Sequence, residues 1–149
     1  MRLIDSHCHL DAPEFDGDRD AVVARAASAG IVAQVIPAVS ATTFPALAAL
    51  CRDRGDLFAA YGLHPMYLDQ HADSDIDTVR AALAQERAIA VGECGLDFFV
   101  AGLDPERQRA LFDAQLRLAR DFDLPLILHA RRAVDEVILR LRRIGGLRG

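Results

Sequence analysis

Residues 1–11, M-R-L-I-D-S-H-C-H-L-D, join a short apolar segment to a His-x-His pair, and they decide how the rest of the chain is interpreted. Side chains alternate between the two faces of a β-strand, so His7 and His9 should lie on one face and Cys8 on the other. Two imidazoles at the carboxyl end of a strand provide half of a metal site. Two surface or hydrogen-bonded histidines are the alternative that this motif alone leaves open.

Two further potential ligands follow short apolar segments later in the chain. Glu93 comes after the segment 88–91, and His129 comes after the segment 125–128. A parallel α/β barrel brings the carboxyl ends of its strands to one face, where such residues would meet. Taken together, these positions favour a metal site over isolated surface histidines.

The composition is that of one globular domain. The chain has 149 residues, of which 52% are hydrophobic and 26% charged, enough for a core. No apolar segment is long enough to span a bilayer and none resembles a secretory signal, so we expect a cytoplasmic protein without membrane contact. The three cysteines fit no disulfide or zinc pattern. Because the net charge is −5, a phosphate-bearing substrate would need positive charge from metal ions or a few arginines.

Apolar segments alternate with amphipathic ones throughout the chain. We predict strands at residues 2–5, 32–39, 57–61, 88–91 and 125–128. We predict helices at residues 19–29, from a cap at Ser40 or Thr42 to about residue 54, and at 74–85, 105–122 and 133–143. This alternation indicates a parallel sheet that is buried on both faces.

The number of βα units leaves two architectures open. A closed (β/α)₈ barrel has eight units and typically about 250 residues, whereas this sequence shows five units. A complete, open, doubly wound sheet of five strands is the alternative, but no glycine-rich phosphate loop follows the first strand. We therefore predict an α/β fold of the TIM-barrel type, in which residues 1–149 are a single domain holding the first five βα units.

Four segments, in order and spacing, carry a family resemblance. They are I-D-S-H-C-H-L-D (4–11), G-L-H-P (62–65), V-G-E-C-G-L-D-F-F (91–99) and L-P-L-I-L-H-A-R (124–131). The chain resembles, over its whole length, the TatD-type metal-dependent DNases of the amidohydrolase-like superfamily. The resemblance implies a hydrolase that cuts DNA phosphodiester bonds from the 3′ side of single-stranded ends with a metal-activated water. It implies no obligate protein partner.

The resemblance also assigns metal ligands and catalytic residues. It implies that His7 and His9 bind one metal, that His129 binds a second, and that Glu93 bridges the two; Glu93 and His129 are the expected catalytic residues. All 17 basic residues are arginine, so no lysine is present to act as a carboxylated bridge. Two divalent ions are expected, Mg²⁺ or Mn²⁺, with Zn²⁺ a further option because three of the four ligands are imidazoles.

Several neighbouring residues have two interpretations each. His64 resembles the substrate-side histidine of the family, or it is a loop histidine packed beside proline. Arg131 has the geometry to pair with a phosphate oxygen, or it is solvated. Asp97 either orients a metal ligand or caps a turn. His71 lies in the Asp-rich segment 69–77, and we expect it at the surface.

The sequence departs from the family pattern in ways that bear on activity. The family takes two further ligands from later strands, a histidine after strand six and an aspartate after strand eight, and no residue of this chain matches them. Met66 stands where a histidine is more usual. Phe98 and Phe99 either stack on a base or cover the barrel mouth. We therefore expect weak metal binding and little activity from this chain alone.

Two other functions remain open on sequence grounds. One is a metal hydrolase of the same superfamily that acts on a C–N or ester bond, because family resemblance fixes chemistry better than substrate. The other is a non-catalytic role for a partial barrel.

Overall fold

Strands and helices alternate through the computed structural model, which describes residues 1–85 and 87–148; Glu86 and Gly149 lie outside the described residues. The strands are β1 (Leu3–Asp5), β2 (Ile31–Pro37), β3 (Leu57–Tyr61), β4 (Ala88–Asp97) and β5 (Leu126–Arg131). The helices are α1 (Arg19–Ser28), α2 (Phe44–Arg52), α3 (Asp75–Gln85), α4 (Pro105–Asp121) and α5 (Val134–Ile144). Short 3₁₀ helices lie after β1, β2 and β3, at Pro13–Phe15, Ala41–Thr43 and Pro65–Gln70.

The five strands form one parallel sheet in the sequence order β1-β2-β3-β4-β5. A doubly wound sheet would reverse its strand order at a switch point, and this sheet does not. The sheet is curled, as a hydrogen bond that passes over β3 shows. The backbone N–H of Glu93 in β4 donates to the carbonyl of Ala38, just past β2, over 3.2 Å. The described chain is therefore five consecutive units of a TIM barrel, as predicted, and the doubly wound alternative is wrong.

The core lies between the sheet and the helices packed on it. Leu47 of α2, Val79 of α3 and Leu118 of α4 are fully buried against Ile36 and Tyr61 of the sheet. Burying one such side chain stabilises the fold by about 1.5–3 kcal/mol. This packing fixes the positions of the strand ends, where the candidate ligands lie.

Helix α4 has a side-chain cap, whereas the cap predicted from the sequence at α2 is wrong. At α4 the Asp104 side chain accepts hydrogen bonds from the N–H groups of Glu106 and Arg107, as an N-cap does. At α2 the hydroxyls of Ser40 and Thr42 lie 2.8 Å apart and bond to each other, and the helix begins after them. These two side chains therefore belong to the loop after β2.

Strands β4 and β5 extend past the ends that the sequence predicts, residues 91 and 128. The register between them shifts from Val91 to Cys94, and Gly95 has φ +149°. A Cβ on Gly95 would lie 1.9 Å from the carbonyl oxygen of His129, so only glycine allows the two strands to approach this closely. Consequently Glu93 and His129 lie inside their strands rather than beyond them.

Within residues 1–85 and 87–148, the helices are all too short or too polar to cross a membrane.

A candidate metal centre at the strand ends

Glu93 is the residue on which four histidines converge. Its Oε2 lies 3.0 Å from Nε2 of His7 and 3.5 Å from Nε2 of His9. Its Oε1 lies 3.4 Å from Nε2 of His64 and 3.4 Å from Nδ1 of His129. The carboxylate is buried, with 6% of the residue exposed, and it lies where the register between β4 and β5 shifts. Each carboxylate oxygen thus faces its own pair of imidazoles.

The first imidazole pair follows β1. The two Nε2 atoms of His7 and His9 are 3.3 Å apart, and both rings are partly exposed. Cys8 points the other way, with its N–H bonded to the carbonyl of Val35 over 3.0 Å and its Sγ 3.6 Å from the same oxygen. The alternation that the sequence predicts is therefore present, although β1 itself ends at Asp5.

The second imidazole pair comes from the ends of β3 and β5. Nδ1 of His64 accepts a hydrogen bond from the N–H of Met66 over 3.1 Å, which turns Nε2 toward Glu93. His129 presents Nδ1 to Glu93 and Nε2 to the carboxylate of Asp97. The two rings meet edge to face with centroids 4.4 Å apart.

Asp97 both orients a histidine and caps a turn, so both sequence interpretations apply to it. Its Oδ2 lies 2.9 Å from Nε2 of His129. Its Oδ1 accepts hydrogen bonds from the N–H groups of Phe99 and Val100. The Gln108 side chain of α4 in turn bonds the backbone N–H and C=O of Asp97. The ring of His129 therefore contacts a buried carboxylate whose position is fixed by hydrogen bonds to its side chain and to its backbone.

The electrostatics keep the central carboxylate ionised. Burial raises the pKa of Glu93, but its hydrogen bonds with His129, His64 and His9 lower the pKa by more. The net pKa is therefore well below its usual range. The hydrogen bond with Glu93 in turn raises the pKa of His9 and of His129, against an opposing effect of burial. A buried carboxylate ringed by imidazoles is a site that favours a cation.

The candidate donor atoms form two groups that share one carboxylate. Among the described residues, the ligand atoms of His7, His9 and Glu93 lie within 4.8 Å of one another, and so do those of His64, Glu93 and His129. Imidazole nitrogens and carboxylate oxygens are ligands for zinc and for manganese. The structure therefore brings the sequence-predicted ligands together and adds His64 to the second group; their roles as ligands remain predictions.

Arg131 lies beside this centre and stacks on an aromatic ring. Its guanidinium carbon is 3.6 Å from the ring centroid of Phe99, and that of Arg132 is 4.6 Å from the same centroid. Phe99 is 45% exposed. A role for Arg131 in substrate binding stays a prediction.

The sequence-based placement of His71 at the surface is wrong. His71 is 3% exposed, and its Nε2–H donates to the carbonyl of His64 over 2.9 Å. The Arg107 guanidinium donates to the carbonyl of His71 from the other side. Burial lowers the pKa of His71, so a neutral imidazole holds the loop that carries His64. Because the residues around His71 are rich in aspartate, the sequence gives no indication that His71 is buried.

A cleft of about 520 Å³ opens beside His9 and His64, and sequence reasoning missed it. The loops after β1, β2 and β3 form it. Its walls include Asp11, Glu14, Ser40, Thr42, Tyr67 and Gln70.

The chain is similar in sequence to metal-dependent hydrolases. The profile of the family described as TatD related DNase matches residues 4–148. An Escherichia coli protein named uncharacterized metal-dependent hydrolase YjjV is 46% identical over 146 residues, which cover 95% of this chain and 56% of that protein. The 3′-5′ ssDNA/RNA exonuclease TatD of Erwinia tasmaniensis is 34% identical over 137 residues, which cover 91% of this chain and 53% of that protein.

Solved structures show the same fold. The crystal structure of YjjV, a TatD homologue from Escherichia coli, matches with a TM-score of 0.92 and 43% identity over 96% of this chain and 56% of that one. A hydrolase TatD family protein from Entamoeba histolytica matches with a TM-score of 0.79 over 97% of this chain and 55% of that one; at 20% identity this likeness concerns the fold alone. The chain thus spans about half the length of the relatives that it matches.

Proposed function

Because the chain belongs to the family of TatD-related DNases, we propose that it is part of a hydrolase that cleaves DNA phosphodiester bonds from the 3′ side of single-stranded ends. Its metal centre is proposed to be the group of side chains around Glu93, here called the Glu93 cluster, which consists of His7, His9, His64, Glu93 and His129. The observation that carries the proposal is that two groups of three side chains with potential ligand atoms share Glu93. The five βα units are, in this proposal, a single domain that corresponds to the first part of an eight-unit barrel.

The proposed ligands divide between the two oxygens of Glu93. His7 and His9, which face Oε2, would hold one ion together with Glu93, and His129, which faces Oε1, would hold the second. His64 faces the substrate, because it lies at the border between the cluster and the cleft. Bound Mg²⁺ or Mn²⁺, or Zn²⁺ as a further option, would activate a water and offset the negative charge of the scissile phosphodiester.

The chain's own residues position and polarise rather than form a covalent bond to the substrate. Ionised Glu93 holds both halves of the centre, and Asp97 fixes the ring of His129. Arg131 is proposed to pair with a phosphate oxygen of the bound strand. Burial, followed by the nearby Asp5 carboxylate, raises the pKa of Cys8 to about 11, so this thiol stays protonated and is a poor nucleophile.

The 149-residue chain by itself is proposed to be weakly active. No described residue matches the later histidine and aspartate that the family resemblance implies, and that aspartate is expected to orient and deprotonate the attacking water. A low rate with intact metal dependence is therefore the expected behaviour of this chain.

The test combines metal binding with cleavage of a labelled DNA strand. Titration of Mn²⁺ into metal-stripped protein should show two bound ions, and Glu93→Gln should abolish binding at both sites. Slow shortening of a 5′-labelled single strand from its 3′ end should require Mn²⁺ and disappear in Glu93→Gln. Glu106→Gln changes a carboxylate that is 82% exposed on α4 and should behave like the unmodified chain. Cleavage that survives Glu93→Gln, or a chain that binds no metal, contradicts the proposal.

A further inference from the structure

Two surfaces of opposite chemical character flank the Glu93 cluster. On one side lies the cleft, whose volume of about 520 Å³ falls within the range of pockets that enclose a small organic ligand. His9 and His64 line both the cleft and the candidate metal centre, so the two are continuous. A ligand in the cleft would lie directly beside Glu93.

The walls of the cleft offer hydroxyls and an exposed aromatic ring. Ser40 is 2% exposed, and its Oγ lies 2.8 Å from Oγ1 of Thr42. Tyr67 is 39% exposed, and its ring meets His64 edge to face with centroids 5.7 Å apart. Aromatic rings stack on nucleobases of any sequence, and paired hydroxyls hydrogen-bond the oxygens of a sugar. This chemistry suits a nucleoside.

The cleft is unsuited to a phosphate group. None of the described residues that line it is Arg or Lys, and two carboxylates, Asp11 and Glu14, lie on its wall. Beyond the proposed metal ions at its edge, a phosphate placed there would meet the negative charge of these carboxylates, with no arginine or lysine among the described lining residues to offset it. The cleft therefore selects an uncharged end of a nucleic acid strand.

The segments that follow β4 and β5, away from the cleft loops in the order of the strands, carry positive charge. Arg131 and Arg132 lie over the ring of Phe99 at the ends of β5 and β4. Within the described part of the chain, neither arginine forms an ion pair with a carboxylate, so both charges are available to a ligand. Guanidinium groups bind phosphate oxygens in a planar, paired geometry.

From this asymmetry, and resting on the proposed function, we propose that the cleft is the subsite for the terminal nucleoside of the DNA strand, with a free 3′-hydroxyl. Arg131 and Arg132 then hold the phosphates that lie further along the strand. The scissile bond is thereby placed over Glu93, between the two surfaces. A strand that ends in a 3′-phosphate is disfavoured, because that phosphate would enter the acidic cleft.

Binding of two DNA probes to the Mn²⁺-loaded chain tests the proposal. The probes are 5′-fluorescein octathymidylates with a phosphorothioate at the last linkage to suppress cleavage, one ending in a 3′-hydroxyl and the other in a 3′-phosphate. Fluorescence anisotropy should show affinity at least about tenfold weaker for the phosphate-ended probe. Glu14→Gln should reduce the difference in affinity between the two probes, because it removes one of the two carboxylates on the wall of the cleft.

Variants of the two surfaces separate their contributions. Tyr67→Ala should weaken binding of the hydroxyl-ended probe by about tenfold, whereas Tyr67→Phe, which retains the ring, should not. Arg131→Ala should weaken both probes alike and reduce the dependence on salt. Equal affinity for the two ends, or equal behaviour of Tyr67→Ala and Tyr67→Phe, overturns the subsite and leaves the proposed function standing. Absence of Mn²⁺-dependent binding to either probe overturns both.

Discussion

Buried Asp97 and partly buried His129 form a pair in which Oδ2 lies 2.9 Å from Nε2, and this contact sets the direction of the imidazole. Burial raises the pKa of Asp97, but hydrogen bonds from the Val100 N–H and from His129 outweigh it, and the net pKa is below its usual value. An ionised carboxylate accepts a hydrogen bond from Nε2–H, which makes Nδ1 the ring nitrogen that could bind a cation beside Glu93.

Asp97→Asn should weaken metal binding without removing the turn after β4. Asparagine keeps an oxygen that can accept the Phe99 and Val100 N–H bonds, but it presents an amide N–H₂ to Nε2 of His129. Loss of the hydrogen-bond acceptor of a metal-binding histidine typically lowers metal affinity by about 10–100-fold, and we expect that range for the ion that His129 is proposed to bind.

Calorimetric titration with Mn²⁺ measures this effect. Asp73→Asn, at a carboxylate that is 96% exposed, is the matched control and should keep the original dissociation constants. Identical affinities in Asp97→Asn and Asp73→Asn would show that Asp97 does not orient the ligand.

Single histidine replacements should reduce the number of bound ions selectively. His7→Ala and His129→Ala should each bind one Mn²⁺ instead of two, because each variant lacks an imidazole that faces a different oxygen of Glu93. His64→Ala should still bind two. The count follows from mass spectrometry of the native protein with Mn²⁺. One ion in His64→Ala would make His64 a ligand, and two ions in His129→Ala would contradict the shared arrangement.

Gly95→Ala should destabilise the fold at the β4–β5 pairing. The new Cβ would lie 1.9 Å from the carbonyl oxygen of His129, and the backbone has φ +149°. We expect a loss of about 3 kcal/mol in the free energy of unfolding. Gly102→Ala, at φ +87° with no atom within 4 Å of the new Cβ, should lose only about 1–2 kcal/mol. Urea titration gives both values, and equal losses would remove the steric explanation.

The three cysteines should resist alkylation while the protein is folded. Burial is the main cause that raises the pKa of Cys8 and of Cys51, each to about 11, and it raises that of fully buried Cys94 as well. At pH 8 their reaction with iodoacetamide should be roughly 100-fold slower than that of an exposed thiol. Intact-mass measurement in buffer and in 8 M urea compares the two states. Rapid modification of the native protein at any of the three would contradict the burial that we describe.

The described chain should self-associate through its open edges. In the described sheet, β1 and β5 each have one unpaired side, and Ile4 on β1 is 66% exposed while Leu139 on α5 is 63% exposed. Unpaired strands and exposed apolar side chains promote association. Sedimentation should show multimers that Ile4→Lys reduces, while Ser28→Lys, which adds the same charge on α1, does not. A monomer at every concentration would argue against this expectation.

The convergence of the candidate ligands is the part of the site that could be predicted from the sequence. It did so because parallel strands direct their carboxyl ends to one edge, so His7, His9, Glu93 and His129 had to be neighbours if the segments before them were strands. The full length of β4 could not be predicted from the sequence. Gly92 and Gly95 look like the end of a strand, and only their close approach to β5 explains why the strand continues.

Features that depend on how loops meet could not be predicted from local pattern. His71 is buried because its ring bonds the carbonyl of His64, whereas its Asp-rich neighbours in the sequence indicate exposure. The cleft combines loops after three different strands, and no periodicity in any one of them indicates the shape of the space between them.

The sequence order of the strands has a consequence for how the protein is made. Each strand pairs with the one before it, so each βα unit can dock on its predecessor during synthesis. The groups around Glu93 are completed one after the other, because His7 and His9 are synthesised first, Glu93 follows with β4, and His129 follows with β5. In a nascent chain the proposed group of His7, His9 and Glu93 would therefore be complete when β4 docks, and the group with His129 only when β5 docks.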